Sequence, residues 1–189
     1  MRGPWTLPNF ITLLRLAALP FFLFSISVGR FGIALLLFVA AGVSDGIDGF
    51  LARRFNMRSQ LGSYLDPFAD KLLLMSSYIF LAIPSYPAAV KVPVWLALFV
   101  VSRDILMMTV GLLLILASGK RRFVPTWLGK VTTVTLIVTV LFVLCANLWS
   151  WPRPIVYIAF GGAATTTILS GFHYVYLVST SQWPSPAEK

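Results

Sequence analysis

Six acidic residues occur in this chain of 189, and four of them, Asp45, Asp48, Asp66 and Asp70, fall within one stretch, SDGIDGFLARRFNMRSQLGSYLDPFADK. On a helix, Asp45 and Asp48 are three positions apart and share a face; Asp66 and Asp70, four apart, do the same. Several ionised carboxylates crowded into a low-dielectric site repel one another, and some would have to take up protons. Divalent cations relieve that repulsion. An all-oxygen donor set suits Mg²⁺ or Mn²⁺ rather than zinc, and Mg²⁺ commonly keeps waters and bridges to substrate phosphates. The chemistry to expect here is therefore metal-assisted work on a phosphate.

The elements that must position these acids are hydrophobic. The chain is 58% hydrophobic and 11% charged, against about 25% charged in an ordinary soluble domain. This composition predicts an all-α integral membrane protein. Apolar segments cover 10–28, 32–52, 61–83, 92–118, 127–149 and 154–178, each near the ~20 residues a spanning helix needs. Gly29, Pro84, Pro87, Gly119, Pro152 and Pro154 punctuate the joints. The expected organisation is one six-helix transmembrane catalytic domain over 1–181 and a polar tail over 182–189. The opening MRGPWTLPNF reads as an amphipathic stretch along the membrane surface, and the first apolar segment, which contains Arg15, as a retained helix rather than a cleaved signal.

Charge sets the orientation. Arg53, Arg54 and Arg58 lie between segments two and three, and Lys120, Arg121, Arg122 and Lys130 between four and five. The alternate loops carry only Arg30, Lys91 and Arg153. The positive-inside rule then places both termini and the two basic loops in the cytoplasm. It also accounts for the net charge of +9 without nucleic acid, through topology and anionic lipid. Trp5, Trp127, Trp149, Trp151 and Trp183 fall near segment ends, as interfacial aromatics do. The single cysteine, Cys145, excludes an internal disulfide and a cysteine metal site. His173 is distant in sequence and reads as a packed side chain.

If segments two and three form a hairpin turning near Met57, the acids fall at matching depths, roughly 12–20 Å from the turn at 1.5 Å per residue. They could then converge near the cytoplasmic surface. Gly49 and Ala52 lie on or beside the Asp45–Asp48 face, and Gly62 opens the third segment, leaving room for a close approach. Arg53, one turn beyond Gly49, could grip a phosphate with its planar fork. Intramembrane carboxylates also mark ion pathways, so a cation transporter is the alternative class. Acids near one surface, fixed Arg and Gly positions and the lack of a broken-helix repeat pair argue against it. A non-catalytic scaffold leaves the acids unexplained.

The spacing D-x2-D-G-x2-A-R-x8-G-x3-D-x3-D, filled by Asp45, Asp48, Gly49, Ala52, Arg53, Gly62, Asp66 and Asp70, resembles that of the CDP-alcohol phosphatidyltransferase family. The LPNFITLLRLAALP opening, the six-segment plan and the pair Gly129–Lys130 are similar to its phosphatidylglycerophosphate synthase and cardiolipin synthase branch. The resemblance implies a six-helix membrane enzyme, usually a homodimer, using CDP-diacylglycerol and two divalent cations, Mg²⁺ or Mn²⁺. It implies Asp45, Asp48, Asp66 and Asp70 as the metal cluster, with Asp66 and Asp70 catalytic and Asp70 the general base. Gly49, Ala52, Arg53 and Gly62 would line the site for the cytidine diphosphate moiety. The implied location is a bacterial inner membrane with the site facing the cytoplasm.

The acceptor is less sharply specified. Arg103, Arg121 and Lys130 are the candidate contacts to an acceptor or its phosphate. Ser102-Arg103-Asp104 resembles cardiolipin synthases of the eukaryotic type; phosphatidylglycerophosphate synthases usually carry Arg-Glu here with a further Arg six or seven positions on, which this chain lacks. The reading favours phosphatidylglycerol as acceptor, with glycerol 3-phosphate the alternative. Arg103 and Asp104, being sequence neighbours, are expected to point to different sides of a helix, each with its own partner.

Overall fold

The protein is described by a computed structural model covering residues 7–54, 62–83, 88–118, 126–149 and 151–180. Side chains are described throughout these ranges except at 7–9, 48–54, 62–67, 111–118 and 178. Six helices follow one another: α1 (Leu7–Ser27), α2 (Phe31–Arg54), α3 (Gly62–Ala82), α4 (Val94–Ser118), α5 (Trp127–Trp149) and α6 (Arg153–Ser179). Their bounds track the apolar segments because an unbroken apolar run must satisfy its backbone internally, and a helix does so.

Among the described residues, α1, α5 and α6 are long and apolar enough to cross a membrane, with Phe31–Ile47 of α2 a shorter apolar stretch. The outward side chains agree with a lipid setting: Phe21, Phe24, Leu36, Ile158 and Phe172 are all exposed. Trp127 and Trp149 mark the two ends of α5, about 33 Å apart at 1.5 Å per residue, close to the ~30 Å hydrocarbon core of a bilayer. Trp151 packs beside Trp149, ring centroids 6.5 Å apart.

Helix contacts run from α1 to α2, α5, α6, α4, α3 and back to α1, with α3 also touching α5 across the middle. The core follows that circuit. Phe22 and Ile26 of α1 meet Phe38 of α2, with the Phe22 and Phe38 rings 5.8 Å apart. Leu74, Tyr78 and Leu81 of α3 share the interior with Leu96 and Val100 of α4 and with Leu136, Val140 and Leu144 of α5. Polar side chains stitch the helices where apolar contact alone carries little specificity. Tyr78 donates to the Leu136 carbonyl, and Thr132 and Thr139 of α5 donate to the Thr166 and Ala159 carbonyls of α6. Gly162 faces α5, where a Cβ would make an ordinary contact with Thr135 at 3.8 Å. Ala163 beside it is fully buried, whereas Gly161 faces open space.

The first turn of chain is sharply built. Gly29 has φ of 73°, a left-handed conformation that costs a glycine little. Arg30 N–H bonds the Ser25 carbonyl and Gly29 N–H the Ile26 carbonyl, the paired arrangement that closes a helix at a left-handed glycine.

One packing expectation changes. Among the described residues α2 and α3 are joined through α1, which packs extensively on both, so the acids that meet do so on a third helix rather than within a two-helix hairpin alone. Helix α1 is the shared neighbour, and its side chains enter the acidic site.

Candidate functional site

Arg15 is the side chain that enters. It lies in the middle of α1, within the Phe10–Ser27 candidate span, and its side chain is 2% exposed. A buried guanidinium in such a helix has to find carboxylates or backbone oxygens. Its Nη1 donates to Asp45 Oδ1 at 3.1 Å and to Asp70 Oδ1 at 2.6 Å. One nitrogen thus ties an acid of α2 to an acid of α3. The carboxylates themselves are open, 45% and 46% exposed, so the cation grips them from the buried side.

Asp45 and Asp70 are therefore brought together. Asp48, three residues after Asp45, continues α2, and Asp66 lies one turn before Asp70 in α3; their side chains lie outside the described residues. So do those of Gly49, Ala52 and Arg53, all on α2, and of Gly62, the first residue of α3. Arg121 lies outside the described residues altogether. Among the described residues no group of three metal-ligating side chains is gathered. The two acids that are described suit a hard dication: both ligands are oxygens, both are accessible, and both already turn toward one positive charge.

A second polar cluster begins one residue further along. Lys71 Nζ donates to Asp104 Oδ1 at 2.6 Å, joining α3 to α4. Arg103 Nη1 donates to the same oxygen at 2.6 Å, and its Nη2 to Ser170 Oγ of α6 at 2.8 Å. Asp104 is completely buried, and its Oδ2 has no hydrogen-bond partner. The expectation of separate partners for Arg103 and Asp104 is corrected here. Their Cβ atoms do diverge on the helix, but Arg103 is long enough to fold back, and burial of both charges favours that closure. Asp104 also has a partner on another helix, Lys71 of α3. Arg103 is itself buried, at 6% exposure.

The start of α5 abuts this cluster. Thr126 Oγ1 accepts from Gly129 N–H at 3.1 Å, capping the helix. A Cβ on Gly129 would lie 3.1 Å from that hydroxyl, so glycine leaves room for the cap, and Arg103 Nη2 would be in ordinary contact at 3.7 Å. Lys130, next in sequence, is exposed. Side by side on α3, Asp70 and Lys71 join the two clusters into a polar seam drawn from α1, α2, α3, α4 and α6, with the start of α5 against it.

Sequence reasoning missed Arg15 and Lys71 as site residues. For Arg15 a signal existed: a lone arginine in an apolar run requires a partner, and four aspartates were the available ones. Lys71 adjoins the motif in the middle of the third apolar segment, where a lone lysine likewise requires an anion.

Comparison with known proteins fits this geometry. A profile of the CDP-alcohol phosphatidyltransferase family matches residues 5–173, and the chain belongs to that family. It is thus a membrane protein of the class that the acid spacing and apolar helices define. Among characterised relatives it is similar to the human cardiolipin synthase (CMP-forming), 32% identical over 165 residues, covering 79% of this chain and 53% of the relative. It is also similar to the CDP-diacylglycerol–glycerol-3-phosphate 3-phosphatidyltransferase of Bacillus subtilis, 33% identical over 160 residues, covering 76% and 79% of the two chains. A cardiolipin synthase (CMP-forming) of Streptomyces coelicolor is 37% identical over 143 residues, covering 70% and 61%. The matched region spans about half the length of the human relative.

Proposed function

We propose that this protein transfers the phosphatidyl group of CDP-diacylglycerol to an acceptor hydroxyl, releasing CMP, and that the acceptor is phosphatidylglycerol. The observation that carries the reading is the meeting of Asp45 and Asp70 on Arg15, within a family match that covers most of the chain. The acceptor oxygen forms a bond to the lipid-bearing phosphorus as the bond from that phosphorus to the CMP oxygen breaks. Asp70 takes the hydroxyl proton, which raises the nucleophilicity of the oxygen as it attacks. Asp45, Asp48, Asp66 and Asp70 would hold two divalent cations, Mg²⁺ or Mn²⁺, which neutralise the pyrophosphate and stabilise the departing CMP. Gly49, Ala52 and Gly62 leave space for the cytidine diphosphate moiety, and Arg53 binds its phosphate.

Membrane embedding serves this chemistry, because the donor's acyl chains stay in lipid while its head reaches the acids. All six helices are read as spanning, residues 1–181 as a single catalytic domain with a tail at 182–189, and the site as facing the cytoplasm of a bacterial inner membrane. A homodimer is in keeping with the small outward residue Gly161 on α6.

The committed state of Arg103 supports the choice of acceptor. With Nη1 on Asp104 and Nη2 on Ser170, it is tied into the protein rather than presented as an open fork. A dianionic glycerol 3-phosphate asks for more uncommitted cations than the single charge of phosphatidylglycerol. Exposed Lys130 and Arg121 then contact the acceptor's phosphate. Glycerol 3-phosphate is the second reading, favoured by the name of the Bacillus subtilis relative. Purified protein given CDP-diacylglycerol, Mn²⁺ and each acceptor in turn decides the matter. Phosphatidylglycerol should yield CMP and cardiolipin; phosphatidylglycerophosphate as the sole lipid product would transfer the assignment to the second reading. No CMP with either acceptor would remove the enzymatic reading.

A further inference from the structure

We infer that Arg15 is an internal counter-ion to the acidic site, one that competes electrostatically with divalent metal for Asp45 and Asp70. The inference rests on the proposed metal-binding role of those aspartates. The geometry behind it is asymmetric. Arg15 is 2% exposed and reaches one oxygen of each carboxylate, at 3.1 and 2.6 Å, while the carboxylates are 45% and 46% exposed. The guanidinium is built into α1 and cannot leave with product, whereas an ion arriving from the open side can.

Charge counting gives this arrangement a consequence. If the four aspartates gather as proposed, their negative charge on its own would oppose assembly of α1, α2 and α3. Arg15 offsets one of those charges permanently, and it joins α2 to α3 through the acids themselves. The helices can therefore assemble before any metal arrives. The same positive charge also repels an incoming dication bound to the same two carboxylates. Like charges a few ångströms apart interact by about 1 kcal/mol or more even at the dielectric of water. Arg15 thus holds metal affinity down while keeping the site folded. When the dications and donor are present together, the pyrophosphate's negative charge is what makes the extra positive charge favourable. Arg15 then acts as a positioning residue that couples tight metal binding to the presence of donor.

The test is Mn²⁺ binding, followed by electron paramagnetic resonance of free Mn²⁺, on detergent-solubilised wild-type protein and Arg15→Gln. Without donor, Arg15→Gln should bind Mn²⁺ roughly tenfold more tightly than wild type, the factor expected for losing a repulsion of that size. Its thermal unfolding should also become metal-dependent, with Mg²⁺ raising its midpoint more than that of wild type. An affinity equal to or weaker than wild type would overturn the inference. If Arg15→Gln survives purification only with Mg²⁺ present and unfolds on chelation while wild type does not, the counter-ion role is supported. If it unfolds equally with and without Mg²⁺, Arg15 is a purely structural tie and the inference fails. Failure of wild-type protein to bind Mn²⁺ at all would instead remove the metal-site reading beneath it.

Discussion

Two aspartates sit in adjacent clusters with different surroundings, and the differences divide their roles. Asp70 is half exposed and meets Arg15 only on its buried side; Asp104 is fully buried and holds two cations on one oxygen. Asp70→Asn keeps the shape of the side chain but removes its basicity. It should lower CMP release by at least ~10²-fold, the usual contribution of a positioned base, and, because Asp70 is also a proposed metal ligand, weaken donor binding; a single-turnover assay at saturating donor isolates the chemical step. Asp104→Asn should act through stability instead. It leaves Arg103 and Lys71 without their shared anion, a change that costs about 3–5 kcal/mol in a buried pair. Lys71, with a side chain 25% exposed, can turn outward and bring the loss to the lower end. Thermal unfolding in detergent should show a large drop, and an unchanged midpoint would mean that the cluster contributes no stability.

At the level of helices, most of the architecture was legible in the sequence. Each apolar run had to become a helix, and Gly29 stands where α1 must stop. Its φ of 73° makes Gly29→Ala destabilising by about 1 kcal/mol, since a Cβ there meets the following carbonyl; a melting curve will register it as a modest downward shift. The acid spacing was equally legible, because three- and four-residue intervals define a helix face. What the sequence concealed was helix α1's place between its neighbours. Arg15 meets Asp45 and Asp70 across 30 and 55 positions of chain, and no local periodicity encodes such a contact. The Arg103–Asp104 closure was hidden for a related reason. Helical geometry sends neighbouring Cβ atoms apart, but only tertiary burial makes it favourable for the arginine to fold back. The same packing divides the run Gly161–Ala164: Gly162 faces Thr135 of α5 and Ala163 is buried, whereas Gly161 faces outward.

For the whole molecule, the proposed orientation rests on charge asymmetry and on aromatic residues at the helix ends. The exposed Lys130 lies at the start of α5 and the exposed Arg153 at the start of α6, with a span-length helix between them. In intact inner-membrane vesicles of known sidedness, and with Cys145 replaced by Ala, Lys130→Cys should react with an impermeant thiol reagent only from the cytoplasmic face. Arg153→Cys should react only from the opposite face. Labelling of both from one side would break the proposed topology. The polar seam places acids, a lysine and two arginines inside an apolar shell, and in the proposed reaction that is where a lipid-linked pyrophosphate would be handled without leaving the membrane.

The most direct measurement is the count of Mn²⁺ ions bound per chain in the presence of CDP-diacylglycerol, for wild type and for Asp45→Asn and Asp70→Asn. The account predicts two ions on wild type, with loss of at least one in each variant and loss of CMP release in parallel. Metal binding and turnover that both survive the two substitutions would contradict it.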